Sequence, residues 1–162
     1  MLRAKVLFVC NEHGARSRIA ERFAREDARE LIEASSAAFE PKSIRGGLPQ
    51  QTMSEVGLSF PVEAVRSVFD LYREGRTYDY VVTMCQEATS AACPEFQRSV
   101  NAMFRQEAIR LAWEVSDFKT LDGTDEERQA HARQIRDLIR ERVVRLRERI
   151  RANLSARPQD GS

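Results

Sequence analysis

The chain has 162 residues, of which 42% are hydrophobic and 31% charged, a composition that fits one globular domain with a sizeable core. Its 26 basic and 25 acidic residues leave a formal net charge of +1, without the basic excess of a general nucleic-acid-binding protein. No apolar run reaches the length of a membrane span, and the first strand begins too early to leave room for a signal peptide. We therefore expect a cytoplasmic protein with no nucleic-acid or membrane partner.

The first half of the chain alternates strands with helices. A run of apolar, β-favouring residues predicts a buried central strand over 4–9. Helical spacing predicts a helix over 17–30 with a buried face of Ile19, Ala20, Phe23, Ala24 and Ala28. The further predictions are a strand over 31–37, a Pro- and Gly-marked loop over 39–49, a helix over 50–57, an extended segment over 58–61 and a helix over 62–73.

The second half continues this alternation. Its predicted elements are a strand over 78–84 that ends at Cys85, an irregular segment over 86–98, partial helix over 99–106, a strand over 108–115 and a long helix over 125–152. The long helix has an apolar stripe of Ile135, Leu138, Ile139, Val143, Leu146 and Ile150. Strands alternating with helices indicate an α/β domain whose parallel sheet is covered on both faces. We predict one three-layer domain over 1–152 and a flexible tail over 153–162.

Reactive side chains follow three of the predicted strands. Cys10, Cys85 and Asp117 lie at or just past the carboxyl ends of strands, which is where α/β sheets bind ligands. Three cysteines are an odd number, which argues against a purely structural disulfide framework. In a reducing compartment such cysteines serve reactivity or metal binding.

The segment after the first strand has the pattern Cys10-x5-Arg16-Ser17 and leads into a helix. The backbone N–H groups of such a loop and the positive end of the helix favour phosphate-, sulfate- or arsenate-like anions. Arg16 can bind two oxygens of the anion, and Cys10 is expected to be a thiolate nucleophile that the Ser17 hydroxyl stabilises. A buried cysteine and an ordinary surface arginine are the alternative. The predicted oxyanion-binding residues are Asn11, Glu12, His13, Gly14, Ala15 and Arg16.

At these residues the sequence resembles the low-molecular-weight protein tyrosine phosphatase superfamily, and within it the thioredoxin-coupled arsenate reductases. The resemblance covers about 3–150 and rests on Val6-Leu7-Phe8-Val9-Cys10, Arg16-Ser17, Ala20-Glu21, Tyr78-Asp79-Tyr80-Val81-Val82-Thr83-Met84-Cys85, Cys93-Pro94 and Trp113-x-x-x-Asp117. It implies a four-stranded parallel sheet in the order 2-1-3-4, flanked by helices. It also implies chemistry with no metal or bound cofactor, and an external thiol reductant such as thioredoxin as partner.

The resemblance to the reductases implies a relay of three thiols, which Cys10, Cys85 and Cys93 would supply. Cys10 attacks arsenate, Cys85 then attacks Cys10 and releases arsenite, and Cys93 attacks Cys85. The final Cys85–Cys93 disulfide is exposed to thioredoxin. Small buried residues remain the alternative for Cys85 and Cys93, whereas their eight-residue separation is not a zinc pattern.

Asp117 is the expected general acid, which would protonate the leaving oxygen. Asp122 and Asp125 are its rivals, and a loop or capping aspartate is the alternative. Phosphatases of the family carry Asp-Pro-Tyr where this chain has Asp117-Phe118-Lys119. This difference favours reduction over hydrolysis.

Two other functions stay open. The first is a phosphatase that hydrolyses phosphoesters through a phosphocysteine intermediate. The second is a non-catalytic oxyanion-binding module, because Glu12, His13 and Ala15 depart from the commoner pattern of the family loop. In that module the arginine-rich terminal helix would be a docking face, although a solvated face with Glu partners is the simpler interpretation.

Overall fold

Four strands form the centre of the molecule. This computed structural model describes residues 3–12, 14–41, 47–59, 65–85, 92–104 and 107–156, with the side chains of Glu12, Ala92 and Cys93 outside that description. The strands are β1 (Ala4–Glu12), β2 (Ile32–Glu40), β3 (Tyr80–Cys85) and β4 (Ile109–Glu114). They are parallel and lie in the order β2-β1-β3-β4, which confirms the predicted α/β fold and strand order.

The two central strands are buried on both faces. All six residues of β3 are buried, and residues 6–10 of β1 have no exposed surface. The edge strands β2 and β4 are more exposed along their length. Continuous apolar runs at the centre are typical of a parallel sheet covered by helices on both sides.

Helices cover both faces of the sheet. They are α1 (Ala15–Asp27), α2 (Leu48–Ser54), α3 (Val68–Arg73), α4 (Ala92–Met103) and α5 (Asp125–Ala156), with a 3₁₀ turn (Phe118–Thr120) after β4. On one face α1, α2 and α5 pack against Val6 and Phe8 of β1, and on the other α3 and α4 pack against Leu7 and Val9. The result is the predicted arrangement of three layers.

The first connections differ from the predicted boundaries. The predicted loop over 39–49 is wrong at both ends, because residues 39–40 continue β2 and residues 48–49 begin α2. The Ala38 N–H bonds the Arg66 carbonyl at 3.0 Å, which extends the sheet beyond β2. Pro49 lies in the first turn of α2, where a missing N–H costs no intrahelical bond.

Two predictions need correction on the face of the sheet that α3 and α4 cover: the start of a helix and an irregular segment. The helix predicted over 62–73 begins at Val68, because the Ser67 hydroxyl accepts the Phe69 N–H at 3.1 Å and caps the helix there. The irregular segment predicted over 86–98 is wrong for residues 92–98, which are helical in α4. Phe96 and Val100, one turn apart, are buried against the sheet, so tertiary packing fixes this helix. Residues 60–64 and 86–91 lie outside the described part of the chain.

The long terminal helix carries the predicted apolar stripe. Its residues Ile135, Ile139, Val143, Leu146 and Ile150 are buried, and Leu138 is half-buried at the margin. The helix continues four residues past the predicted end, to Ala156. In this last part the Asn153 side-chain amide donates to the Tyr80 hydroxyl at 2.8 Å. The division between a domain over 1–152 and a flexible tail stays a prediction, and residues 157–162 lie outside the description.

Candidate oxyanion-binding active site

Cys10 lies in the middle of the sheet, near the carboxyl end of β1. Its Cα is in register with Ala38 of β2 and Met84 of β3, and the residue has no exposed surface. Its sulfur forms no disulfide with any described residue. The strand leads within a few residues into α1, so the sulfur and the first turn of that helix are neighbours: Cys10 Sγ is 3.2 Å from Ser17 Oγ.

Gly14 makes the sharp turn from the strand into α1. It caps the helix with a left-handed backbone, φ 81°. A Cβ at this position would lie only 2.3 and 2.6 Å from the two methyl carbons of Val65, so both the backbone angle and the space demand glycine. The Gly14 carbonyl accepts the Arg18 N–H at 2.9 Å. The start of α1 is therefore fixed against Val65.

Ser17 connects the sulfur to this turn. Its side chain is fully buried, and its Oγ lies 3.1 Å from the Gly14 carbonyl as well as 3.2 Å from Cys10 Sγ. The first turn of α1 contains no acidic residue. Its positive end is therefore not neutralised from within the helix, which favours an external anion beside Cys10.

Arg16 is buried and is held from the end of β4. The residue is only 4% exposed. Its Nη1 donates to the Val115 carbonyl at 2.9 Å, and its Nη2 lies 3.4 Å from Asp117 Oδ2. These contacts place a guanidinium, which has five N–H donors, at the same edge of the sheet as Cys10.

Asp117 has two roles in this arrangement. Its Oδ1 accepts the Lys119 N–H at 3.2 Å and caps the 3₁₀ turn, while Oδ2 faces Arg16. Of its rivals, Asp122 is exposed, and Asp125 is exposed at the start of α5 and lies 3.8 Å from Arg128. Asp117 is thus both a capping aspartate and the carboxylate that contacts Arg16.

Cys85 lies at the end of β3, one position beyond the residue that pairs with Cys10. It is 8% exposed and disulfide-bonded, and the sulfur to which it is bonded lies outside the described side chains. Its carbonyl accepts the Val115 N–H at 2.7 Å. Because the Val115 carbonyl accepts a hydrogen bond from Arg16, the backbone of Val115 bridges Cys85 and Arg16.

The structure therefore shows two groups of contacts, one of Cys10, Ser17 and Gly14 and one of Arg16 and Asp117, which meet at the adjacent residues Arg16 and Ser17. Of the other predicted oxyanion-binding residues, Asn11 is half-buried and Ala15 is buried. His13 and the side chain of Glu12 lie outside the description, as does the side chain of Cys93.

Sequence reasoning missed Val65 and the Val115 carbonyl. Val65 acts only by its volume beside Gly14. The Val115 carbonyl is a backbone group, and every residue has one. No residue type or spacing in the sequence could have identified either contact.

Arginines of α5 pair with carboxylates of neighbouring helices. Arg140 Nε lies 2.8 Å from Asp27 of α1, and Arg133 Nε lies 2.7 Å from Glu55 at the end of α2. The hydrogen bond to Asp27 raises the pKa of Arg140. This pairing favours a structural role for the arginine-rich helix over a docking face.

Two features are absent from the residues that the structure describes. No three His, Cys, Asp or Glu side chains within this part of the chain lie together as a group that could hold a metal ion. Of the helices in the described ranges, none combines the length and apolar character needed to cross a membrane.

Comparison with known proteins adds a family and a fold. Residues 5–156 match the sequence model described as low molecular weight phosphotyrosine protein phosphatase. No curated protein sequence matches the chain significantly. An arsenate reductase structure from Archaeoglobus fulgidus is 24% identical, with a TM-score of 0.65 over 88% of this chain and 98% of that one.

Two further solved structures are similar. The thioredoxin-dependent arsenate reductase of Corynebacterium glutamicum is 24% identical, with a TM-score of 0.61 over 93% of this chain and 63% of its own. The tyrosine phosphatase Wzb of Escherichia coli K30, in complex with sulphate, is 14% identical, with a TM-score of 0.65 over 92% and 99%. At these identities the likeness shows a shared fold.

Proposed function

This chain belongs to the low molecular weight phosphotyrosine protein phosphatase family, a family of enzymes. Within that family we propose that it reduces arsenate to arsenite through Cys10, Cys85 and Cys93. One observation carries the proposal. The adjacent strands β1 and β3 both end near a buried cysteine, and the second of these, Cys85, is disulfide-bonded. A reducing cytoplasm is the compartment that we propose for this chemistry.

In the first step the β1–α1 loop holds the oxyanion. Loop N–H groups and the Arg16 guanidinium bind arsenate oxygens, and the Cys10 thiolate attacks arsenic. Asp117 gives a proton to the departing oxygen, which leaves as water. Ser17, at 3.2 Å from the sulfur, stabilises the thiolate before the attack. The product is a Cys10–arsenic(V) adduct.

In the second step the Cys85 thiolate attacks Cys10 Sγ. The electron pair of the sulfur–arsenic bond passes to arsenic, which becomes arsenic(III) and leaves as arsenite, while a Cys10–Cys85 disulfide forms. The Cys93 thiolate then attacks Cys85 Sγ and restores the Cys10 thiolate. A dithiol protein of the thioredoxin type finally reduces the Cys85–Cys93 disulfide, so the two electrons come from that partner.

A phosphatase is the second candidate. It would use Cys10, Arg16 and Asp117 in the same places, but water would hydrolyse a phosphocysteine and the other cysteines would be dispensable. The similar fold of a tyrosine phosphatase in complex with sulphate favours this candidate. A non-catalytic oxyanion-binding module is the third.

The deciding experiment compares two reactions in the same variants. Arsenate-dependent NADPH consumption is measured with thioredoxin and its reductase, and nitrophenyl phosphate hydrolysis is measured separately. We expect Cys10→Ser to abolish both reactions, and Cys85→Ser and Cys93→Ser to abolish only arsenate turnover. After one arsenate turnover without reductant, peptide mapping should find a Cys85–Cys93 bridge.

Other outcomes assign the other functions. Arsenate turnover that is unchanged in Cys85→Ser refutes the relay. Fast phosphoester hydrolysis that survives Cys85→Ser, with no arsenate turnover in the wild type, assigns the phosphatase. Phosphate binding without turnover of either substrate assigns the binding module.

A further inference from the structure

A cavity of about 430 Å³ lies along the outer edge of β2, and its lining includes Arg18 and Val65, which border the Cys10 loop. Ser35 and Ser36 of this edge strand line it together with Tyr78, and arginines of α1 and of the segment 65–78 surround it. In the described part of the chain, the outer edge of β2 has a single bridge, between Ala38 and Ser67. The volume is in the range of small-molecule sites.

Two of the lining arginines share one carboxylate. Arg76 Nε lies 3.1 Å from Glu74, and Arg66 binds the other oxygen of the same side chain. The hydrogen bond from Arg66 lowers the pKa of Glu74, so the carboxylate is ionised at neutral pH. One negative charge cannot neutralise two guanidinium groups, and a positive charge therefore remains at this wall of the cavity.

The remaining carboxylates nearby are already engaged. Glu21, which lines the cavity, lies 2.7 Å from Arg25 and accepts the Ser36 hydroxyl at 2.5 Å. Arg22, another lining residue, lies 3.3 Å from Glu26. Each of these acids meets its own arginine, and Asp70, whose charge also acts on Arg66, lies 3.6 Å from Arg73. None of the three therefore cancels the excess charge of the other wall. An anion that enters the cavity therefore meets a positive field.

Uncharged donors complete the lining. Burial raises the pKa of Tyr78, so its hydroxyl is protonated and available as a donor over the physiological range. Ser35 lines the cavity beside Tyr78, and Leu71 adds apolar surface. Guanidinium groups and hydroxyls beside a small apolar wall are the groups that bind phosphate esters.

We propose that this arginine-lined cavity is a second anion site, which binds a small phosphorylated molecule or polyphosphate independently of Cys10. Among the described residues that line it, none belongs to the segment 10–17, so the groups named here are distinct from those of the proposed reaction. Arg66 and Arg76 supply the charge, and the Tyr78 hydroxyl helps to orient the ligand.

The test uses inorganic pyrophosphate and calorimetry on the full-length reduced protein. We expect the double variant Arg66→Gln/Arg76→Gln to weaken pyrophosphate binding at one site by about ten-fold or more, because charged hydrogen bonds are lost. The matched control is Arg145→Gln, an exposed arginine of α5 that pairs with Glu141 at 2.7 Å and is not among the described lining residues. It should change the affinity by less than about two-fold.

Three controls keep the result interpretable. The side chains of Arg66 and Arg76 are 47% and 56% exposed, so their replacement should leave the circular dichroism spectrum intact. Arg16→Lys, which alters the loop site, should leave the cavity affinity unchanged. Higher salt should weaken binding at the cavity.

Unchanged pyrophosphate affinity in the double variant overturns the proposal. So does a single binding event that disappears in Arg16→Lys, because the loop alone would then hold the anion. Either result is separate from the fate of the proposed reduction, which is measured by arsenate turnover.

Discussion

The ends of β1 and β3 differ although they are neighbours in one sheet. Cys10 and Cys85 are both buried, at 0% and 8% exposure. After Cys10 the chain turns at Gly14 directly into α1, and Ser17 reaches back to the sulfur at 3.2 Å. After Cys85 the next described element, α4, begins only at Ala92.

This difference separates two kinds of cysteine. A short connection into a helix fixes a sulfur beside hydrogen-bond donors and a positive helix end, which suits a nucleophile that meets an anion. Cys85 instead takes part in a sulfur–sulfur bond, and its backbone carbonyl accepts the Val115 N–H. The comparison agrees with the proposal of oxyanion chemistry at the end of β1 and thiol exchange at the end of β3.

The largest expected effect tests whether the reaction at the end of β1 needs Asp117, which follows β4. Asp117→Asn should slow the first step by about 100- to 1000-fold for arsenate and phosphoester alike, because the proposed proton donor is lost. Single-turnover rates measure it. Asp122→Asn, an exposed neighbour, is the control and should retain the wild-type rate. If the two variants behave alike, Asp117 serves only as the cap of the 3₁₀ turn.

The next effect concerns the tight turn that distinguishes β1 from β3. Gly14→Ala should lower the free energy of unfolding by about 2–4 kcal/mol, because left-handed strain adds to overlap with Val65. Gly57→Ala is the matched control: its φ is 75° but open space surrounds it, so about 1 kcal/mol is expected. Urea denaturation measures both. Equal losses would show that Val65 does not constrain the turn.

A smaller effect tests the link from α1 to the sulfur. Ser17→Ala should lower turnover by about 10- to 100-fold, which corresponds to one hydrogen bond to a charged group, with little change in KM. Ser54→Ala is the control, since this exposed hydroxyl bonds only the local Gln51 carbonyl among the described contacts. A rise in KM with unchanged kcat would instead assign Ser17 to substrate binding.

The smallest expected effect is on thermal stability and concerns an ion pair between α2 and α5, away from both strand ends. The hydrogen bond from Arg133 lowers the pKa of Glu55, so this pair stabilises the fold above the unfolded pKa of about 4.5. That contribution is lost as the pH falls through the lower folded value. Glu55→Gln should reduce Tm at pH 7 by less than about 3 °C, and the difference should shrink as the pH falls below the unfolded pKa.

Thermal unfolding at several pH values measures this effect. Glu141→Gln is the control, because Glu141 pairs with Arg145 within α5 and so does not connect this helix to another through that bridge. A difference in Tm between wild type and Glu55→Gln that grows as the pH falls would contradict a lowered pKa of Glu55 in the folded state.

Local patterns predicted much of the fold. The buried run of β1 and the apolar stripe of α5 each follow one clear period, and both form the elements predicted from that period. The helix α4 was not recognised over 92–98, because the contacts of Phe96 and Val100 with the sheet decide it rather than a local signal.

The candidate site likewise combines features that a sequence displays with features that depend on long-range contacts. Cys10, Arg16 and Ser17 form a pattern of side chains that a sequence displays directly. The contact of Arg16 with Val115 joins residues 99 positions apart through a carbonyl. The space beside Gly14 depends on Val65, an aliphatic residue that belongs to no functional motif. Such long-range backbone and volume constraints arise only when the chain is folded.

The Ser17 hydroxyl can donate its proton to either of two buried acceptors. A hydroxyl has one proton, and here two acceptors compete for it: the Gly14 carbonyl at 3.1 Å and the sulfur at 3.2 Å. While Cys10 is a thiol, its S–H can donate to the Ser17 hydroxyl, and that hydroxyl donates to the Gly14 carbonyl. When the thiol ionises, Ser17 can rotate its proton to the sulfur, since the Gly14 carbonyl keeps the Arg18 N–H at 2.9 Å. Ionisation of Cys10 thus leaves both of these buried acceptors with a donor.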